Sequence, residues 1–166
     1  NSSDKQLEIE MHCVRLGGPQ TGKRAKPLRQ ARELVWMLDR LHDTKQFELN
    51  TIIDEDHRWP IEEQDFNEII GNLIDNAGKW AKHAVTVNLS ENNDHYRILV
   101  DDDGSGVDQE DIDKLGSRSV RLNHEVTGHG LGLSIIIDIV DRYQGKIHFS
   151  NNQLGGFSVE VKLPKK

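Results

Sequence analysis

The 166-residue chain is expected to form one domain, a two-layer α/β sandwich in which about three helices cover one face of a mixed, largely antiparallel sheet. Three observations predict this. Apolar residues recur at helical spacing in two long segments, 27–45 and 62–82. The period then changes to two in adjacent strand pairs joined by short polar turns, which favours antiparallel pairing. Between those pairs, residues 131–143 are apolar nearly all round, the mark of a buried helix.

In chain order, Leu7, Ile9, Met11 and Cys13 alternate and read as a strand. Residues 17–26, rich in Gly, Pro and Lys, read as a loop. Pro27 suits the first turn of a helix, and Leu28, Ala31, Leu34, Val35, Leu38 and Leu41 continue it. Phe47 to Ile53 is a second strand candidate, and Pro60 precedes the long helix. Val85, Val87 and Leu89 alternate, as do Tyr96, Ile98 and Val100, with Asn92-Asn93-Asp94 as the hairpin turn. Residues 101–130 are polar and glycine-bearing, with one short helix near Gln109 to Leu115. After the buried helix, Lys146 to Ser150 and Phe157 to Leu163 form the last strand pair.

The formal net charge is −7, which disfavours nucleic acid as a partner because phosphate backbones need a cationic surface. Cys13 is the only cysteine, so no internal disulfide forms. No apolar run approaches the ~20 residues of a membrane span, and no signal peptide is expected.

Gly17 to Arg24, GGPQTGKR, nearly spells the phosphate-binding P-loop. It fails on three counts. Arg24 stands where a hydroxyl must reach Mg²⁺, Pro19 removes a backbone donor, and no helix opens at the lysine. A nucleotide site is expected elsewhere.

The segment from Phe66, FNEIIGNLIDNAGKWAK, carries more. At 100° per residue, Phe66, Ile69, Ile70, Leu73, Ala77 and Trp80 fall on one side, while Glu68, Asn72, Asp75, Asn76 and Lys79 share an arc of about 100°. Two asparagines four apart are poor helix formers unless their side chains bind something. Amide oxygens suit a hard cation such as Mg²⁺, and Lys79 supplies a point charge for phosphate. In VDDDGSGV, from Val100, a strand ends in carboxylates, and Gly104 and Gly106 let the backbone turn and approach a ligand. A calcium loop in this register requires a bidentate Glu where Ile112 stands. In TGHGLGLSI, from Thr127, glycines lead into the buried helix, an arrangement that presents N–H groups to an anion. His124 and His129 are five apart in a glycine-bearing loop, not four apart on a helix, which excludes the metalloprotease zinc pattern.

Together and in this order, these stretches resemble the ATP-binding catalytic domain of bacterial two-component sensor histidine kinases, the Bergerat-type fold shared with Hsp90, DNA gyrase B and MutL. Glu68 to Lys79 resembles the N box, Asp102-Asp103-Gly104-Ser105-Gly106 the G1 box, and Gly128 to Leu133 the G2 box. The resemblance runs from about Leu28 to Leu163. It implies that Asp102 accepts from the adenine amino group and that Gly104 and Gly106 approach the base. Asn72 and Asn76 would hold Mg²⁺ and phosphate oxygens, Lys79 would pair with phosphate, and Trp80 would lie near the nucleotide. Residues 115–130 would form a lid, hinged by Gly128, Gly130 and Gly132, with His129 and Leu131 beside the phosphates. Arg118 or Arg121 would reach the γ-phosphate, and Glu68 would take part in catalysis. The family's paired phenylalanines before the lid are missing, with Ile112 and Leu115 in their place. So are the phosphoacceptor histidine segment and its dimerisation helices.

The resemblance therefore implies a domain that binds Mg²⁺-ATP and donates the γ-phosphate to a histidine on a separate dimerisation domain, from which a response regulator is served. It also implies a monomer and a place on the cytoplasmic side of an inner-membrane sensor protein. Two other functions use the same residues: an ATPase or serine kinase with Glu68 as general base, and a non-catalytic module that binds nucleotide or docks a partner.

Overall fold

The computed structural model describes residues 23–115 and 130–165. The expected strand at Leu7 to Leu16, Gly17 to Gly22 of the expected loop and most of the expected lid lie outside them. The described elements are β1 (Arg24–Ala25), α1 (Pro27–Leu41), β2 (Gln46–Thr51), β3 (Trp59–Glu62), α2 (Glu63–Trp80), β4 (Ala84–Glu91), β5 (His95–Asp102), α3 (Gln109–Leu115), α4 (Gly130–Arg142), β6 (Lys146–Asn151) and β7 (Phe157–Pro164).

Five strands form one sheet in the order β2-β4-β5-β7-β6. The pairs β4–β5, β5–β7 and β6–β7 are antiparallel. The edge pair β2–β4 is parallel, because α2 lies between these strands in the chain and acts as the crossover that parallel neighbours need. The expected mixed sheet is therefore present. One reading changes. The expected loop 17–26 includes a strand, since Arg24–Ala25 pairs antiparallel with Trp59–Glu62; Pro60, which precedes α2 as expected, lies inside that ribbon. Strands of two and four residues are too short to show a period.

The core forms because alternate strand residues meet the apolar stripes of the helices. Val85, Val87 and Leu89 of β4, Ile98 and Val100 of β5, and Val159, Val161 and Leu163 of β7 are all buried. Opposite them lie Phe66, Ile69, Ile70, Leu73 and Ile74 of α2 and Leu133, Ile136 and Val140 of α4, in the same cluster. Truncating Phe66, wholly buried, to Ala would cost about 3–5 kcal/mol. Trp59 extends this core beneath the ribbon, edge-on to Phe66 at 5.8 Å between ring centroids.

The two helices that bound the site are clasped at their far ends. Asp65, buried at the start of α2, accepts from the Tyr143 hydroxyl at 2.7 Å and from Arg142 Nη2 at 3.2 Å. The Tyr143 oxygen in turn accepts from the Glu62 N–H at 3.1 Å, one of the donors a helix start leaves without an internal partner. Glu63 and Asp65 in the first turn of α2 also suit the positive end of its dipole.

Candidate functional site

The site lies between α2 and the ends of β5 and β7. On β5 the inward series Ile98, Val100 continues with Asp102, so the strand's period of two carries a carboxylate to the inner face at its last residue. Asp102 is buried. Its Oδ1 accepts from the backbone N–H of Gly104 at 2.8 Å and of Phe157 at 3.2 Å. Leu73, Asn76 and Ala77 of α2, Leu133 of α4, and Phe157 and Val159 of β7 complete a recess around it. A mostly apolar recess with one carboxylate at its wall suits a heteroaromatic base bearing an amino group.

Of the three successive aspartates, only Asp102 enters this recess. Asp101 faces the other side of the sheet and accepts from the Ser158 hydroxyl. Asp103 Oδ1 collects the N–H groups of Lys82, His83 and Ala84 at 2.9, 2.9 and 3.0 Å. Burial works to raise its pKa, but the His83, Ala84 and Lys82 N–H groups outweigh that and hold it below the ordinary value. Asp103 thus pins the loop from α2 to β4.

Glycines allow the close approaches. A Cβ on Gly104 would lie 2.1 Å from the Trp80 carbonyl oxygen, and one on Gly156 would lie 1.9 Å from that of Asp102. Gly106 turns at φ +78°, in the left-handed region that glycine adopts at little cost.

On α2, Glu68 and Asn72 are buried one turn apart. Asn72 Nδ2 donates to the Glu68 carbonyl at 2.7 Å, which engages the nitrogen and leaves Oδ1 as the end turned from the helix axis. Asn76 is half-buried, and its Nδ2 is enclosed with no hydrogen-bond partner among the described residues. A buried donor of this kind calls for an acceptor.

The structure departs from expectation at two positions, from the helical wheel at Asp75 and, at Trp80, from both the wheel, which puts it on the core side, and the resemblance. Asp75, expected on the ligand-facing arc, is buried against α1. Its Oδ1 accepts from His42 Nε2 at 2.9 Å, and its Oδ2 lies 3.3 Å from Lys79 Nζ. Burial tends to raise the Asp75 pKa, yet the His42 hydrogen bond and the Lys79 charge together hold it below the ordinary value. Trp80, expected beside the nucleotide, leaves its side chain exposed and outside the recess lining; its carbonyl oxygen forms the contact with Gly104.

Gly130, Leu131 and Gly132 fall in the first turn of α4. Gly128, His129, Arg118 and Arg121 lie outside the described residues. Ile112, on α3, is buried in the core cluster.

Two asparagines of the β6–β7 turn belong to the site although sequence reasoning passed over them. Asn151 accepts from the Val107 N–H at 2.8 Å and donates to the Val107 carbonyl at 2.7 Å, imitating a strand partner for the glycine loop. Asn152 donates to the Asp102 carbonyl at 3.0 Å and accepts from the N–H groups of Leu154 and Gly156, both at 3.0 Å. The sequence signal was there as two adjacent asparagines before a Gly-Gly pair, a turn signature with no indication of its spatial neighbour.

Among the described residues no cluster of three His, Cys, Asp or Glu side chains is placed to hold a metal. Among the described residues no helix is long and apolar enough to cross a membrane.

Residues 61–166 match the family model described as histidine kinase-, DNA gyrase B- and HSP90-like ATPase. The chain is 39% identical over 107 residues to the sensor protein kinase CarS of Pseudomonas aeruginosa, covering 64% of this chain and 24% of that protein. It is 30% identical over 128 residues to the virulence sensor histidine kinase PhoQ of Salmonella typhimurium, covering 77% of this chain and 26% of that protein. The chain thus spans about a quarter of the length of these curated relatives. Among solved structures it is similar in fold to the catalytic domain of histidine kinase ThkA, with TM-score 0.71 and 22% identity over 86% of this chain and 97% of that one. A mycobacterial sensor histidine kinase, MprB, gives TM-score 0.70 and 20% identity over 87% and 97%.

Proposed function

Because the chain belongs to the family of histidine kinase-, DNA gyrase B- and HSP90-like ATPases, we propose that it binds Mg²⁺-ATP and passes the γ-phosphate to a histidine on a separate dimerisation domain. The observation that carries this reading is the recess itself: one buried carboxylate at a strand end, mostly apolar walls with Asn76 among them, and a lining helix that also carries Glu68, Asn72 and Lys79.

Asp102 is assigned to the amino group of adenine, with Leu73, Leu133 and Phe157 against the ring. Asn72 is assigned to the metal through Oδ1, because Nδ2 is held by the helix backbone. The buried Nδ2 of Asn76 suits an acceptor such as a phosphate oxygen better than a cation, which narrows the expected pair of metal ligands to Asn72. Bound Mg²⁺ would supply charge neutralisation on the phosphates. Lys79 and the N–H groups at the start of α4 are both assigned to phosphate oxygens. Glu68 is assigned to orient the incoming imidazole by accepting its N–H. Transfer then forms a bond from the imidazole nitrogen to the γ-phosphorus and breaks the bond to the bridging oxygen, releasing ADP. Positioning and charge account for most of such a reaction. The phosphoryl group would pass from that histidine to a response regulator, in a sensor protein anchored at the inner membrane.

Calorimetric titration of ATP into the wild-type chain and Asp102→Asn tests the base site. The variant keeps Oδ1 for Gly104 and Phe157 but turns a second donor toward a donor. ATP affinity is expected to fall about ten- to a hundredfold, the range for a hydrogen bond to a charged group. Undiminished binding refutes the assignment. Transfer of labelled phosphate to a supplied dimerisation domain tests the reaction, and no transfer by a chain that binds ATP leaves it a nucleotide-binding module.

A further inference from the structure

We infer that His42 is a positioning residue for the nucleotide phosphates, acting through Asp75 on Lys79. This rests on the reading of Lys79 as a phosphate ligand.

The three side chains form a line from α1 to the site face of α2. His42 Nε2 donates to one oxygen of Asp75 at 2.9 Å, and Lys79 Nζ lies 3.3 Å from the other. Asp75 comes one turn before Lys79 on the same helix, the favourable order for such a pair. A buried carboxylate with both oxygens available would draw the ammonium down onto the helix. His42 occupies one oxygen, so Lys79 is held at the outer one. The Lys79 side chain there is 31% exposed.

The scaffold holds His42 for this contact. It caps α1, its N–H donating to the Leu38 carbonyl at 2.9 Å. Its ring lies against α2 at Gly78, where a Cβ would come within 2.7 Å of His42 Cδ2. A glycine inside a helix is unfavourable by itself, and here its missing side chain is the space the imidazole uses. Nearby, Lys45 Nζ donates to the Gly78 and Ala81 carbonyls at 2.9 and 2.7 Å, closing the end of α2.

The test compares Mg²⁺-ATP with adenosine as calorimetric ligands for wild type, His42→Leu, His42→Gln and Lys79→Met. Glutamine presents an amide N–H near the place of Nε2. The expected result is an ATP affinity about fivefold weaker in His42→Leu, in line with the loss of one hydrogen bond. Adenosine affinity stays within about twofold, since it carries no phosphate, and His42→Gln recovers most of the ATP affinity. Loss of ATP and adenosine affinity together, with no recovery in His42→Gln, makes His42 a strut between helices and overturns the inference. Unchanged ATP affinity in His42→Leu beside a weakened Lys79→Met overturns the inference while leaving Lys79 in place. Unchanged ATP affinity in Lys79→Met overturns the reading beneath it as well.

Discussion

Gly155 and Gly156 are neighbours, yet the structure gives their substitution opposite consequences. At Gly156 a methyl group would sit 1.9 Å from the Asp102 carbonyl oxygen and 2.6 Å from its carbon. Opening that contact from 1.9 to 3.0 Å moves the β6–β7 turn and the end of β5 apart by about 1.1 Å. The Phe157 N–H bond to Asp102 Oδ1, already 3.2 Å, lies beside the contact and would break. The Gly156 N–H bond to Asn152 would weaken. Overpacking costs about 1–3 kcal/mol, the broken bond about 1 kcal/mol and the weakened one up to about 1 kcal/mol, so Gly156→Ala should destabilise by about 2–5 kcal/mol. A shift of that size at Asp102, the carboxylate assigned to the base, should also weaken ATP at least about tenfold, as small misplacements do elsewhere. Gly155 is the control. It has φ +89° and nothing within 4 Å of an added Cβ. Gly155→Ala should show only left-handed backbone strain of about 1–2 kcal/mol, with ATP affinity unchanged. Thermal unfolding and ATP titration on both variants check this. Equal ATP affinities would refute the argument that the Gly156–Asp102 approach shapes the base site.

Three further outcomes follow from single contacts. Asn72→Ala should leave metal-free ATP binding unchanged and remove about tenfold of the affinity gained with Mg²⁺, read by titration with and without the metal. Burial, and then the hydrogen bond to Asp65, push the Tyr143 hydroxyl from 10.0 up to about 12. The neutral form is thus favoured on folding, so its stabilisation is complete below pH 10 and is lost as pH rises from 10 to about 12. Tyr143→Phe should flatten that alkaline loss of stability, as measured by denaturant unfolding across the window. Asn151→Ala deletes both bonds to Val107, and amide exchange at Val107 should speed by about tenfold or more while exchange in the core strands stays slow.

The helices and main strands were legible because each is long enough to display a period. The inward position of Asp102 was legible in principle from Ile98 and Val100 by alternation alone, and the family resemblance chose the same residue. The ligand arc of α2 was only partly legible. A helical wheel reports which residues share a side, not which neighbour covers it, and α1 covers the Asp75 edge with His42. Trp80 is a related case: at a helix end, its carbonyl oxygen makes the close approach to Gly104, which a wheel of side chains does not report. The β1–β3 ribbon and the Asn151 and Asn152 braces depend on tertiary neighbours far away in sequence, and short turn residues carry no trace of them.

The grip of Asp103 on three successive N–H groups has a geometric consequence. It fastens the end of the helix bearing Asn72, Asn76 and Lys79 to the end of the strand bearing Asp102, and the tight seat of Gly104 against Trp80 locks the same junction. The separation between the two recognition points is then a fixed span, like the jaws of a caliper set to one gauge. A ligand whose head and tail are further apart or closer together than that gauge meets one jaw and misses the other. Changes in the residues across the recess alter how a ligand enters, but not the length that fits.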